Sequence, residues 1–381
     1  MKRACINAAI LLVTLTGFFT LTCLNTSFAA QTEVSASALN MSAPAEVIPF
    51  TVQGANTLCY ELAVSDVSKY GFRIKSVEIL RSGPHGEVLK TYAGKVLARS
   101  LRKPGEGIET NTVFIWIRQS PEDAPPKALF HRVRLRNAGT GRIMTLNGSP
   151  VAVKPKTGIV LKPFFAGSGW LAWEAASNPV SHHRIGILDF MGKSYLSQRY
   201  AIDWLQVGSS GGIYKTDGKS NGDYYCYGTP LLAGSDGIVV DARDGIPENV
   251  PNPGGEGETA VPITFGTVNG NYVILKIGDG IYAHYCHMIP GTPTVKIGDQ
   301  VKAGDVLGKL GNSGNSTAPH LHFQISDSPD TLRSEGLPYV FESYVLESTF
   351  QSTAQADLPP GQEEIFLKDY PLNGSLLRFG E

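Results

Sequence analysis

Two histidines separated by one residue, His320 and His322, stand in the apolar run Pro319-His320-Leu321-His322-Phe323. Side chains of a strand alternate between its faces, so both imidazoles project from one side, ~7 Å apart, while Leu321 and Phe323 turn to the other. A pair so placed can serve one site, one ring as a metal ligand and the other as its neighbour. Taken alone, the same pattern also fits two surface histidines on an edge strand. A second run, Tyr282-Ala283-His284-Tyr285-Cys286-His287-Met288, adds two more. Being three apart, these point to opposite faces, so at most one should meet the first pair. Upstream, His182-His183 opens a segment that ends in Tyr200-Ala201-Ile202-Asp203-Trp204, an acid among apolar and aromatic residues. A carboxylate buried there wants a cation or hydrogen-bond donors. Two histidines and one aspartate are an ordinary donor set for Zn2+ that keeps an open coordination position. Such a centre acidifies bound water and polarises carbonyls, and nearby non-ligand histidines can move protons or steady an oxyanion. His85 and His131 stand alone and read as surface or strand histidines.

The elements that must hold these residues read as mainly β. The chain has 381 residues, 42% hydrophobic and 18% charged, which is ample for a buried core and rules out wholesale disorder. A formal net charge of -1 lacks the basic footprint of a nucleic-acid binder. Residues 1–30 pair Lys2 and Arg3 with an apolar run, Ala8 to Leu24, and a small-residue end, Ser27-Phe28-Ala29-Ala30; this is a secretory signal peptide, and the mature protein is expected outside the cytoplasm, secreted or periplasmic. No later segment is long and apolar enough to span a bilayer. Cleavage leaves Cys59, Cys226 and Cys286, which allow one disulfide plus one thiol without choosing the pair.

Residues 31–165 alternate in short β-rich runs, among them Phe72–Val77, Val113–Ile117, His131–Arg136 and Val151–Lys154, with turns expected at Pro104-Gly105 and Asn147-Gly148. This spacing suggests a small β-sandwich. Composition changes near Gly167. From 166 to 347 the expected strands are Ile185–Phe190, Arg199–Leu205, Gly237–Ala242, Asn271–Ile277, Gly280–His287, Val306–Leu310 and Pro319–Ile325, mostly antiparallel, and a long Pro/Gly loop at 241–262 should border a site. The break near Gly167 suggests that residues from about 166 onward fold and bind metal by themselves. Residues 348–381 form an extension in which Ile365–Leu367 and Leu376–Phe379 could complete a sheet.

Five further motifs occur in order. They are Tyr227-Gly228-Thr229-Pro230 with Gly237-Ile238-Val239-Val240, Gly270-Asn271-Tyr272-Val273, Tyr285-Cys286-His287-Met288, the run Val295 to Gly308, and Gly311-Asn312-Ser313-Gly314 through Pro319-His320-Leu321-His322-Phe323. Together they resemble the lysostaphin-, LasA- and LytM-type zinc endopeptidases over roughly residues 180–325. The resemblance implies a zinc metalloendopeptidase of cell-wall peptidoglycan, cutting cross-bridge or stem peptides. It implies His183, rather than the adjacent His182, Asp203 and His322 as zinc ligands, and His287 and His320 as catalytic histidines. The interval between His183 and Asp203 is longer than in many such enzymes, and Cys286 replaces the usual Ala or Tyr. His284 then falls on the opposite strand face as a structural residue. Rival readings are a non-catalytic wall-binding or amidase-activating member of the same fold, and a zinc protease of protein substrates.

Overall fold

The computed structural model describes residues 39–380 except 106–109, 253–258 and 351–362. The proposed signal peptide lies outside the described residues. Strands dominate, as expected, and fall into two five-stranded sheets, one large sheet of eleven strands and two hairpin-sized pairs among the described residues.

The five-stranded sheets come from the amino-terminal region. One contains Met41–Ser42, Phe50–Val52, Ala55–Val64, Leu101–Arg102 and Asn111–Gln119; the other contains Glu46–Val47, Phe72–Arg81, Val88–Ala93, Ala128–Asn137 and Ile143–Val153. Period-two patterning explains them: in Phe72–Arg81, Phe72 and Ile74 are buried while Arg73 and Lys75 are exposed. Side chains tie the sheets together. Tyr60 Oη lies 2.8 Å from His131 Nε2, and Tyr92 Oη donates to the Trp116 carbonyl at 2.9 Å. His131 is therefore a strand histidine, buried between the sheets.

The large sheet places the site. Its central order runs Val340–Thr349, Ser375–Phe379, Gly167–Trp173, Ile202–Gln206, Leu321–Ser326, Ile281–Met288, Asn271–Gly278 and Gly237–Arg243. One face of the middle strands, with Trp204, Leu321, Phe323, Ile325 and Tyr285, joins Phe164, Phe165 and Trp170 in the core. That core also takes in Phe50, Val52 and Cys59 from the amino-terminal region, so apolar packing runs across position 166 without a break. Residues 39–380 belong to one compact unit. Phe50 packs edge-on against both Tyr200 and Tyr370, so the stretch from 166 shares its core with the amino-terminal region. Beyond 348, Glu364–Asp369 and Ser375–Phe379 do complete the sheet.

Local differences have local causes. The expected strand Ile185–Phe190 divides into a helical turn, His182–Ile185, and a short strand, Leu188–Phe190. Ser181 caps the turn by accepting from the His183 N–H at 3.1 Å. Asn147-Gly148 is not a turn but part of Ile143–Val153, where a bulge follows Gly148. Ser149 has φ 52° there, and its carbonyl accepts from His131 Nδ1 at 2.7 Å. Gly94–Ser100 is a short helix that the β-rich reading of that region lacked. Cys59, Cys226 and Cys286 are all buried free thiols, so no disulfide forms among them.

Candidate metal centre

Strand register assembles most of the centre. Asp203 pairs with His322, and His322 pairs with Cys286 on its other side. Paired residues of antiparallel neighbours share a face, so the Asp203 carboxylate stands beside the His322 ring. His183 arrives from the helical turn. His183 Nε2 lies 3.1 Å from His322 Nδ1 and 3.3 Å from Asp203 Oδ1; His322 Nδ1 lies 3.0 Å from the same Oδ1. These spacings match the edge of a tetrahedron whose centre lies ~2.0 Å from each donor, about 3.3 Å, as zinc requires.

The rings are turned so that their lone pairs converge. His183 Nδ1–H donates to the Glu174 carbonyl at 3.0 Å, which frees Nε2. His322 Nε2–H donates to Gln324 Oε1 at 3.0 Å, which frees Nδ1. Each ring thus spends its proton on an outer acceptor, as metal-bound histidines do. Three acceptor atoms then face one another in a buried space, an arrangement that repels itself unless a cation sits among them. The residues fit zinc.

The rings and the carboxylate shift one another. Burial would raise the Asp203 carboxyl, yet the rings of His183, His320 and His322 around it hold it well below the usual carboxylate range. Burial pushes His183 down, but Asp203 outweighs it and the net shift is upward; for His322 burial prevails and the shift is downward. His182 is a second possible donor: His182, His183 and Asp203 offer atoms within 4.8 Å of one another. Its ring is mostly exposed and lies 3.5 Å from Asp203 Oδ2. The tighter spacing and the fixed rings favour His183, Asp203 and His322.

His320 and His287 flank this set. His320 Nε2 is 3.5 Å from Asp203 Oδ1, and Nδ1–H donates to the Ala318 carbonyl at 2.8 Å. His287 Nδ1–H donates to the Ser313 carbonyl at 2.7 Å, and its ring centroid lies 4.8 Å from that of His320. Burial, then His320 and His322, push His287 well down, so it is neutral. All five histidine and aspartate positions expected from the sequence therefore come together.

The route by which His287 arrives corrects the face argument. His284 pairs with Gln324 and so lies on the His322 face, not opposite it. Strict alternation would send His287 away. Its φ of 67° breaks the alternation and returns the ring to the site. His284 is still structural, with Nε2 2.7 Å from Ser326 Oγ and Nδ1 3.1 Å from Thr331 Oγ1.

Sequence reasoning missed the outer shell. Gln324 was recoverable, since it extends the same-face pattern of His320 and His322 by two. Asn249, in the long Pro/Gly loop, donates to the carbonyls of Gly314 and Ser316 at 2.8 and 2.7 Å, and so braces the turn before His320. Gly314 permits that turn: a Cβ there would stand 2.2 Å from the Gly270 nitrogen.

Residues 223–333 match Peptidase family M23. The chain carries an M23 peptidase domain. His287, His320 and His322 lie within the matched residues of this M23 domain, whereas His183 and Asp203 precede them. Glycyl-glycine endopeptidase ALE-1 of Staphylococcus capitis is 40% identical over 98 residues, 26% of this chain and 21% of that protein. Peptidoglycan DD-endopeptidase ShyC of Vibrio cholerae is 30% identical over 97 residues, 26% of this chain and 17% of that protein. The match thus spans about a fifth of each relative. The solved catalytic domain of lysostaphin from Staphylococcus simulans is 30% identical, with 34% of this chain and 86% of that one covered and a TM-score of 0.21.

Proposed function

We propose that this chain is an exported, zinc-dependent endopeptidase that hydrolyses peptide bonds in peptidoglycan cross-links or stem peptides. His183 Nε2, Asp203 Oδ1 and His322 Nδ1 hold the zinc. The convergence of these three acceptors within 3.0–3.3 Å, with both rings oriented by outer hydrogen bonds, carries the reading. Zinc in such a set lowers the pKa of bound water to about 7 and polarises a carbonyl.

The remaining work falls to this chain's own side chains. His287 and His320 each commit the Nδ1 proton to a backbone carbonyl, so Nε2 is the atom at which each takes or gives a proton. His320 Nε2 stands beside the ligand carboxylate, placed to take a proton from the attacking group and return it to the leaving amine. His287, neutral with its proton committed at Nδ1, offers a lone pair at Nε2 beside the His320 ring, a second acceptor for a proton leaving the attacking group. The names of the M23 relatives favour a wall substrate, and the signal-like residues 1–30 agree with a site of action outside the cytoplasm. Digestion of purified peptidoglycan, with fragments identified by mass spectrometry and zinc measured on the same preparation, tests the reading. New peptide ends produced by zinc-loaded protein are expected. Stems released from sugar, or no products from zinc-loaded protein, would refute it.

A further inference from the structure

We propose that Glu61, in the amino-terminal sheets, is a positioning residue for the metal centre and acts on His183 through Arg184. The proposal rests on the reading of that centre as a zinc site. His183 has no strand partner to fix its backbone; it lies in a single helical turn, His182–Ile185. Where that turn sits depends on its cap, on the Glu174 carbonyl that holds the ring, and on Arg184, the next residue.

Arg184 is almost wholly buried, with 1% exposure. Its Nε and Nη2 both lie 2.9 Å from Glu61 Oε1, and Nη2 also donates to the Tyr60 carbonyl at 3.2 Å. Nη1 donates to the Ala176 carbonyl at 2.7 Å, and the guanidinium sits 5.1 Å from the Phe114 ring centroid. The Ala176 contact matters because residues 174–176 include Glu174, the acceptor of the His183 ring proton. One guanidinium therefore ties both the backbone beside His183 and the loop that orients its ring to a carboxylate in another sheet. Glu61 is held in turn: Arg199 Nε donates to its other oxygen at 2.8 Å, and Arg199 Nη1 reaches Glu335 at 3.2 Å. Charge-assisted, forked contacts of this kind are short and directional. A metal centre needs its donors within about 0.5 Å of the bound geometry, so an anchor this stiff bears on affinity.

The test uses the full chain with two substitutions. Glu61→Gln keeps the shape and removes the charge. Arg184→Lys keeps a cation beside Glu61 but replaces the planar fork with a point-like ammonium. Zinc affinity is measured by competition with a chromophoric chelator, the ligand field by the visible absorption of the cobalt(II)-substituted protein, and folding by circular dichroism and thermal melting of the metal-free form. Both variants should fold, bind zinc about 10–100-fold more weakly, and show an altered cobalt spectrum. Glu46→Gln, which breaks an exposed pair with Lys154, should change none of these. Unchanged zinc affinity and cobalt spectrum, with only the melting temperature lowered, would overturn the proposal and leave Glu61 a support of the fold. If Glu61→Gln does not fold, Arg184→Lys decides by the same criteria. Failure of the unsubstituted chain to bind zinc would instead sink the zinc reading itself.

Discussion

Two buried polar clusters lie one residue apart in this chain, and they are built on opposite principles. In the cluster of Glu61, Arg184 and Arg199, cations and carboxylate face one another and the guanidinium donors meet acceptors. In the cluster of His183, Asp203 and His322, the ring protons point outward and three acceptors point inward. The first is complete within the chain; the second suits a cation. Burial alone does not separate them, since both sit in the interior. The direction of the protons does.

The largest effect should come from emptying the acceptor cluster. Asp203→Ala removes the oxygen shared by both ligand histidines, and the variant should retain little zinc and negligible activity. One equivalent of zinc found by elemental analysis in that variant would contradict the ligand assignment. His182→Ala and His183→Ala, compared in the same way, should separate a dispensable neighbour from a ligand.

Next comes a group beside the cluster. His320→Ala should keep near-stoichiometric zinc and native circular dichroism while turnover falls roughly 10²–10⁴-fold. Affinity for a substrate peptide should change far less, because the ring acts chiefly on the transition state. A folded, zinc-loaded, fully active variant would break the proposed division between His320 and His322.

A third test contrasts the acceptor cluster with the amino-terminal sheets. Burial pushes His131 down to about 4 from an ordinary value of 6.5. A histidine whose pKa is lowered by folding favours the folded state above its unfolded value, and that contribution is lost as pH falls from 6.5 towards about 4. Its full size is roughly 3 kcal/mol. Denaturant titrations at pH 7 and pH 4.5 should therefore show a smaller acid loss in His131→Gln than in the unsubstituted chain. Equal losses would mean that His131 is not buried in its neutral form.

The smallest effect concerns the outer acceptors. Gln324→Leu takes away the oxygen that orients His322 and should weaken zinc binding about 10–100-fold without abolishing it. A chelator titration indistinguishable from that of the unsubstituted chain would show that the ring needs no such guide.

How far the sequence reveals these clusters depends on the range of the interactions. His320, His322 and Asp203 were legible because strand alternation and an acid among apolar residues are local patterns. His183 was harder, since its placement depends on a single helical turn capped by Ser181. His287 reaches the other rings by a route that alternation does not give: no sequence period signals a backbone φ of 67°. Glu174 orients His183 through its carbonyl, which its side-chain identity does not encode. Glu61 meets Arg184 across 123 positions of sequence, a separation at which no pattern of spacing survives.

The strand Ser375–Phe379 lies between Val340–Thr349 and Gly167–Trp173, inside the sheet rather than at its rim. The sheet is thus closed out of chain order. During synthesis, Gly167–Trp173 can pair with the Asp203 strand early, but its other edge stays bare until the far end of the chain emerges. Pairings of such long range are slow to form. Assembly of this sheet is therefore gated by arrival of Ser375–Phe379, and a chain stopped at Phe350 would leave bare one edge of Gly167–Trp173 and much of both edges of Val340–Thr349, open to association with other chains.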